Sequence, residues 1–250
     1  MRFSFRDLIL FILIFIFTIA FPVDLIPMNV YLQRVVAIGL RLLLLAFFIY
    51  VMLKNRVKIF GIANIKNILL CLPFFLVCFS NIFATIFSGN AFNLEKFNVW
   101  LFLLDTLLCL VTAINEEIVF RFMIHNSLSA TSSIKRIFGS AGIFALMHLL
   151  NIVNISSVGA LVAVLLQTVY TFGLGILLGF LYEYGYSLLS CVLLHFMFNF
   201  VNDCLFAHLG CTPTALAYYL CAICIGVAVG VYVTLLYFFY FRKTSRYFRQ

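Results

Sequence analysis

The chain of 250 residues is 66% hydrophobic and only 10% charged, and its formal net charge is +8. Soluble domains carry roughly 25% charged residues, so this chain has too few charges to cover the surface of a water-soluble globule. The same apolar content excludes a disordered chain, and eight cysteines are too few for a secreted disulfide scaffold. The composition therefore predicts an all-α, polytopic membrane protein.

Apolar runs long enough to cross a bilayer recur along the chain. A helix needs about 20 such residues to cross roughly 30 Å of hydrocarbon. The sequence offers runs at 7–23, 32–53, 68–88, 98–124, 137–153, 158–182, 186–208 and 214–241. The first resembles a signal peptide, but no small-residue cleavage site follows it, so we expect a retained helix. The runs predict a bundle of about eight transmembrane helices that forms a single membrane domain over residues 1–250.

The basic residues fall mostly on one side of these predicted spans. Most Lys and Arg residues precede the first span, follow the last, or lie in alternate connections at 54–66 and 135–136. The positive-inside rule then places both termini in the cytoplasm. Because no single face gathers this charge, we expect no nucleic-acid partner. The abundance of Phe, Ile and Asn favours a bacterial, multi-pass protein of the plasma membrane.

Two pairs of glycines have the G-x-x-x-G spacing that allows helices to approach closely. They are Gly175 and Gly179 in the sixth predicted span, and Gly226 and Gly230 in the eighth. Without a side chain, such positions let two helix backbones pack in contact. We expect both pairs to lie at helix–helix interfaces.

Some polar residues within the spans suggest a structural role or none. Arg41 in the second predicted span and Asp105 in the fourth both lie nearer the outer face, at comparable depth, so we expect them to pair as a structural bridge. His125 and His208 lie near the ends of spans, where exposure to water is the simplest expectation. Gln167 gives no clear signal.

The fourth predicted span carries the densest polar group, Asn115, Glu116, Glu117 and Arg121. An ionisable residue inside a span costs several kcal/mol and is by default a functional hypothesis. Glu117 and Arg121 are spaced i,i+4 and can pair on one helix face. Glu116 lies about 100° away around the helix and has no partner nearby in sequence. It is therefore a candidate general base, although both glutamates could instead bind Arg121 in a buried structural network.

Two later spans add His148 and the pair His195 and Asn199. At about 1.5 Å per residue, Glu116, His148 and His195 are expected some 12–17 Å below the cytoplasmic surface. They lie on three helices that run in different directions and still reach one layer. We therefore expect a single polar site within the membrane.

These residue types suit the hydrolysis of a peptide bond. A carboxylate or a histidine can activate water, and a histidine or an asparagine amide can stabilise the oxyanion. Glu116, His148 and His195 could alternatively bind zinc with one position open for water. The sequence contains neither H-E-x-x-H nor G-x-S-x-G, so it lacks the signatures of the soluble zinc peptidases and of the serine hydrolases.

Three short motifs occur in order along these helices. They are E-E-x-x-x-R at 116–121, F-x-x-x-H at 144–148 and H-x-x-x-N at 195–199. In that order, on successive membrane helices, they resemble the CAAX protease and bacteriocin-processing (CPBP) family of intramembrane proteases, also called the Abi family. The resemblance covers about residues 98–205, which would form the catalytic core.

The resemblance implies a role for each motif residue. Glu116 would activate the hydrolytic water with the help of His148. His195 and Asn199 would stabilise the oxyanion.

The same resemblance implies a supporting set of residues. Glu117 and Arg121 would orient and hold the catalytic carboxylate, and Phe144 would pack at the site. Members of the family have been described both as glutamate proteases and as metalloproteases. We favour metal-independent chemistry and expect no cofactor, because Asn199 is a poor zinc ligand and a good amide donor, while zinc stays an alternative.

The expected partners are a small peptide or membrane-anchored protein as substrate, and membrane lipid. Within the family, self-immunity to a bacteriocin and peptide maturation are both possible roles. The alternative is a non-enzymatic membrane immunity or binding protein that retains the motif residues for structure.

Overall fold

The computed structural model of the chain describes residues 5–19, 21, 23, 26–54, 78–154, 157–185, 187–210, 213–236 and 238–239. Within these ranges all regular structure is helical. The helices are α1 (Phe5–Ile19), α2 (Val30–Lys54), α3 (Ser80–Phe87), α4 (Val99–Glu117), α5 (Ser133–His148), α6 (Val158–Gly185), α7 (Leu188–Asn199) and α8 (Ala215–Leu236). The predicted all-α class is confirmed.

Three of these helices continue beyond their α-helical part in a different geometry. A π-helix, Ile118–His125, follows α4, and a 3-10 helix, Leu149–Asn154, follows α5. A second π-helix, Phe200–Leu205, follows α7 and leads into a last α-helical turn, Phe206–His208. The first π-helix begins within the motif at 116–121. The 3-10 helix and the second π-helix begin directly after the motifs at 144–148 and 195–199.

Among the described residues, six helical segments are long and apolar enough to cross a membrane, judged by length and composition. They are Val30–Lys54, Val99–His125, Ser133–Ile152, Val158–Tyr184, Leu188–His208 and Ala215–Leu236. They correspond to the second and to the fourth to eighth predicted spans, as expected of a membrane helical bundle.

The other two predicted spans are described as shorter helices. The first contains α1, which has 15 residues. The third, 68–88, lies outside the described residues as far as residue 77, and α3 at its end has 8 residues. Most of the basic residues behind the positive-inside argument, near the termini and at 55–66, also lie outside the described residues. The count of eight spans and the cytoplasmic termini stay predictions.

Each helix that carries a motif begins at a side-chain cap. Asn98 before α4, Ser132 before α5 and Ser187 before α7 accept hydrogen bonds from backbone N–H groups two or three residues further on. Such caps satisfy donors that the first helical turn leaves free. Because each cap fixes where its helix starts, it also fixes which motif residues face the neighbouring helices.

The helix α7 lies between two hydrophobic clusters. One cluster gathers residues of α1, α2, the first π-helix and α5 around Phe48, Phe120 and Phe144. The other gathers residues of α6, α7 and α8 around Leu177 and Leu194. Since α7 contributes to both, its motif residues are held at the junction of the two halves of the bundle.

The glycines of α6 lie at a close helix interface. A Cβ atom added at Gly175 would lie 3.0 Å from Cα of Ala141 in α5, and one at Gly179 would lie 3.1 Å from Cγ2 of Ile137. The predicted close packing is confirmed for this pair. It is wrong for Gly226 and Gly230 within the described part of the chain, where an added Cβ would have no neighbour within 4 Å.

This difference predicts opposite effects for one substitution at the two glycine pairs. Gly175→Val should destabilise the protein by about 1–3 kcal/mol, because the added methyl groups would overlap the backbone of α5. Gly226→Val should have little effect and serves as the matched control. Thermal unfolding of both variants in detergent measures the difference, and equal shifts in Tm would contradict the interface described here.

Asp105 in α4 binds partners other than the predicted one. Its carboxylate contacts Nε of Arg34 at 2.6 Å and Nε2 of His208 at 2.9 Å. The predicted pairing with Arg41 is wrong, and one Nη of Arg41 donates to the carbonyl of Ala37 within α2. Arg34 and Arg41 are seven residues apart and share one face of α2, so helical periodicity alone does not distinguish them. His208, which was expected to be exposed, is largely buried in this contact.

His125 is also buried rather than exposed. Its Nε2 atom lies 2.6 Å from Oε2 of Glu183 at the end of α6, and its Nδ1 atom lies 3.3 Å from Oγ of Ser140. Arg136 at the start of α5 contacts both carboxylate oxygens of the same Glu183. This group joins the ends of three helical segments, and its partners come from parts of the chain that sequence spacing does not connect.

Candidate active site

The two adjacent glutamates at the end of α4 occupy different environments. Glu117 is fully buried, whereas the side chain of Glu116 is 12% exposed and faces a cavity. This division follows from the rotation of about 100° per residue in an α-helix. The π-helix begins directly after them, and π-helical turns are frequent at functional sites.

Glu117 and Arg121 form a fully buried ion pair. Oε2 of Glu117 lies 3.0 Å from Nε of Arg121, and both side chains are 0% exposed. The contact is an ion pair without hydrogen-bond alignment, and the Arg121 guanidinium has no hydrogen-bond partner among the described residues. Its Cζ atom lies 5.2 Å from the ring centre of Phe144, within the range of a cation–π contact. The pairing predicted from the i,i+4 spacing is confirmed.

The other oxygen of Glu117 holds His195. Nδ1 of His195 lies 2.8 Å from Oε1 of Glu117, and Nε2 of the same ring lies 3.3 Å from Oε2 of Glu116. A carboxylate accepts hydrogen bonds, so Glu117 fixes Nδ1 as the protonated nitrogen and leaves Nε2 toward Glu116. The resemblance assigned Glu117 to the orientation of Glu116, but in the structure Glu117 contacts and orients His195.

His148 is oriented from within its own helix. Its Nδ1 atom lies 3.0 Å from the carbonyl oxygen of Phe144. Because a carbonyl can only accept, Nδ1 carries the proton and Nε2 keeps a free lone pair. The Phe144 ring packs edge-on against both imidazoles, with ring-centre distances of 4.9 Å to His148 and 5.6 Å to His195.

A cavity of about 250 Å³ joins the predicted catalytic residues. All four of them, Glu116, His148, His195 and Asn199, line it. Phe144 also lines the cavity, while Glu117 and Arg121 lie behind it. The structure therefore brings together the residues that the sequence placed at one depth on three helices.

Sequence reasoning missed two parts of the cavity wall. One is α1, which contributes Phe15, Ile16 and Ile19. The other is the pair Asn151 and Gln167, two carboxamides that are hydrogen-bonded to each other at 3.0 Å. The position of α1 had no signal in the sequence beyond its apolar character. Gln167 is an amide in the middle of an apolar span, which is unusual, but its spacing did not connect it with the motif residues.

The zinc alternative depends on whether three ligand side chains come together among the described residues. No three His, Cys, Asp or Glu side chains among them form a group that could hold a metal ion. Glu116, His148 and His195 line one cavity without forming such a group.

The helical fold, with a polar cavity inside it, is that of a class of protein, the multi-pass membrane proteins. Residues 97–201 match the family model described as Rce1-like, "Type II CAAX prenyl endopeptidase Rce1-like". This part of the chain, which contains all seven predicted site residues, is similar to the CAAX protease family, as the motifs predicted. At the level of the family, the match supports a CAAX-type intramembrane protease. No curated protein and no solved structure matches the chain.

Proposed function

We propose that the protein is an intramembrane endopeptidase that hydrolyses a peptide bond with a water molecule activated by Glu116. The observation that carries the proposal is the convergence of Glu116, His148, His195 and Asn199, from three helices, on one cavity. Buried polar groups of this kind are costly in a membrane, so their convergence favours a chemical role.

Glu116 is the proposed general base. Its carboxylate lines the cavity and is free of the ion pair that occupies Glu117. It accepts a proton from water while the hydroxide attacks the carbonyl carbon of the peptide bond. His148 assists because its Nε2 lone pair can accept a hydrogen bond from the same water. The proton then passes from Glu116 to the leaving amine as the carbon–nitrogen bond breaks.

His195 and Asn199 are the proposed donors to the oxyanion. A doubly protonated His195 keeps Nδ1–H on Glu117, and its Nε2–H, which lies 3.3 Å from Oε2 of Glu116, can donate to an oxyanion formed beside that carboxylate. The Asn199 side chain lines the same cavity and has no hydrogen-bond partner within the described ranges. Donors held in place before the reaction stabilise the tetrahedral intermediate without rearrangement.

The proposed substrate is a small peptide or a membrane-anchored protein. Phe15, Phe120, Leu174 and Phe198 give part of the cavity wall an apolar surface, which suits a substrate that approaches from the lipid. We further propose a bacterial plasma membrane as its location, with self-immunity to a bacteriocin or peptide maturation as the biological role.

Cleavage by the purified protein in liposomes tests this function. The probe is a pool of quenched peptides that includes isoprenylated and leader-type sequences, with mass spectrometry to locate the cut. We expect internal cleavage that continues in the presence of a chelator, because a carboxylate base needs no metal. Activity that is lost with chelator and restored by zinc would contradict the glutamate mechanism.

A further inference from the structure

Asn151 and Gln167 form an amide pair in the wall of the catalytic cavity. Asn151 lies in the 3-10 helix that follows α5, and Gln167 lies within α6. Nδ2 of Asn151 donates to Oε1 of Gln167 at 3.0 Å. Both residues belong to segments that are apolar enough to cross a membrane, where an aliphatic side chain would be less costly. The proposed catalytic steps do not use this pair.

The pair keeps one donor and one acceptor available. Each carboxamide has an acceptor oxygen and an NH₂ group, and the mutual hydrogen bond uses one of each. Nε2 of Gln167 and Oδ1 of Asn151 have no other hydrogen-bond partner among the described residues. If both amides were reversed, the two residues would exchange roles, but one donor and one acceptor would still remain.

Gln167 also lies at the junction of two cavities. A second cavity of about 240 Å³ adjoins the catalytic one, and Gln167, Tyr170 and Phe198 line both. Asn81, Asn202 and Tyr218 add polar groups to the second cavity. An extended chain that passes from the catalytic cavity into the second one therefore runs past the amide pair.

We propose that Asn151 and Gln167 bind one peptide unit of the substrate main chain beside the cleaved bond, and that the substrate continues into the second cavity. The inference rests on the proposed peptidase function. A peptide unit presents one N–H and one C=O, which complement the free acceptor and the free donor of the pair. Hydrogen bonds to the main chain orient a substrate whatever its side chains are.

The same chemistry argues against a terminal carboxylate at this position. A carboxylate only accepts hydrogen bonds, so the free oxygen of the pair would repel it. The described residues that line the two cavities also include no Lys or Arg. The proposed occupant is therefore an internal peptide unit.

Binding measured without turnover tests this inference. The parent protein carries Glu116→Gln to prevent cleavage, and the probe is a fluorescent pool of peptides of mixed sequence, followed by anisotropy in detergent. Adding Gln167→Leu, or separately Asn151→Leu, should weaken binding about five- to tenfold, the effect of a lost hydrogen bond. Adding Thr168→Val should not, since the Thr168 hydroxyl donates to the Val164 carbonyl and lines neither cavity.

Peptides with single ester replacements identify the contact itself. With Asn151 present, an ester in place of the amide whose N–H donates to Oδ1 of Asn151 should weaken binding severalfold, and in Asn151→Leu the same ester should have a much smaller effect. Unchanged affinity in both Leu variants, or no peptide binding by the parent protein, would overturn the inference. Because the assay measures binding alone, peptide binding without any cleavage by the wild-type protein would contradict the proposed function and not this site.

Discussion

Replacement of Glu116 by glutamine should lower the rate of peptide hydrolysis by about two to four orders of magnitude while the protein stays folded. A carboxamide has nearly the shape of a carboxylate but cannot accept the proton of the attacking water, and general base catalysis contributes this much. Glu116 is not part of the buried ion pair, so the structural cost should be small. Single-turnover cleavage in liposomes measures the rate, and thermal unfolding confirms that the variant is folded.

Glu95→Gln is the matched control for this experiment. Glu95 is exposed in the 3-10 helix Leu94–Lys96, away from the cavity, so its replacement should leave the rate unchanged. Equal cleavage by Glu116→Gln and the wild type would show that Glu116 is not the base. If neither protein cleaved any peptide, both should be compared for protection of cells against a bacteriocin. Equal protection would then favour a non-enzymatic immunity protein.

Glu117→Gln should destabilise the protein by about 3–5 kcal/mol, much more than Glu116→Gln. The substitution leaves the Arg121 guanidinium as a fully buried charge without a carboxylate partner. Loss of one member of a buried ion pair has a cost of this size, because the remaining charge stays in a medium of low dielectric constant. Unfolding of the purified protein in detergent, followed by heat or denaturant, measures the loss.

A double variant separates the effect on stability from the effect on catalysis at the Glu117–Arg121 pair. Glu117→Gln combined with Arg121→Met removes both charges, so it should recover much of the lost stability. It should still be inactive, because His195 would lose the carboxylate that fixes its Nδ1 proton.

Asp105→Asn is the matched control for stability. It breaks a partly exposed ion pair, so it should lower the free energy of unfolding by about 1 kcal/mol or less. If Glu117→Gln cost no more than Asp105→Asn, the buried pair would not have the structural importance argued here.

Local spacing was a reliable guide wherever the interaction lies within one helix. The i,i+4 spacing of Glu117 and Arg121 predicted their ion pair, and the rotation between adjacent residues predicted that Glu116 would lie apart from it. The amino-acid composition predicted the all-helical fold class. Three short motifs, in order along the chain, predicted the resemblance to the CAAX protease family. The glycines of α6 were also correctly placed at an interface.

Long-range pairings were beyond the reach of the same reasoning. Glu117 and His195 are 78 residues apart, and helical periodicity says nothing about which imidazole nitrogen faces which glutamate. Asp105 had two arginines on one face of α2 within reach, and only the register between α2 and α4 selects Arg34. The buried contact of His125 with Glu183 depends in the same way on where α6 ends.

The sequence by itself determined that this chain is a helical membrane protein, which residues carry its family's motifs, and which of them could pair within a helix. These properties follow from hydrophobicity and from the 3.6-residue repeat, which act over a few turns. Only the tertiary structure decided that Glu117 orients His195 and that α1 lines the cavity. It also decided that Asn151 is hydrogen-bonded to Gln167 at the junction of two cavities. These contacts depend on how separate helices pack, which is set by the fit of many side chains at once rather than by the spacing of any one motif.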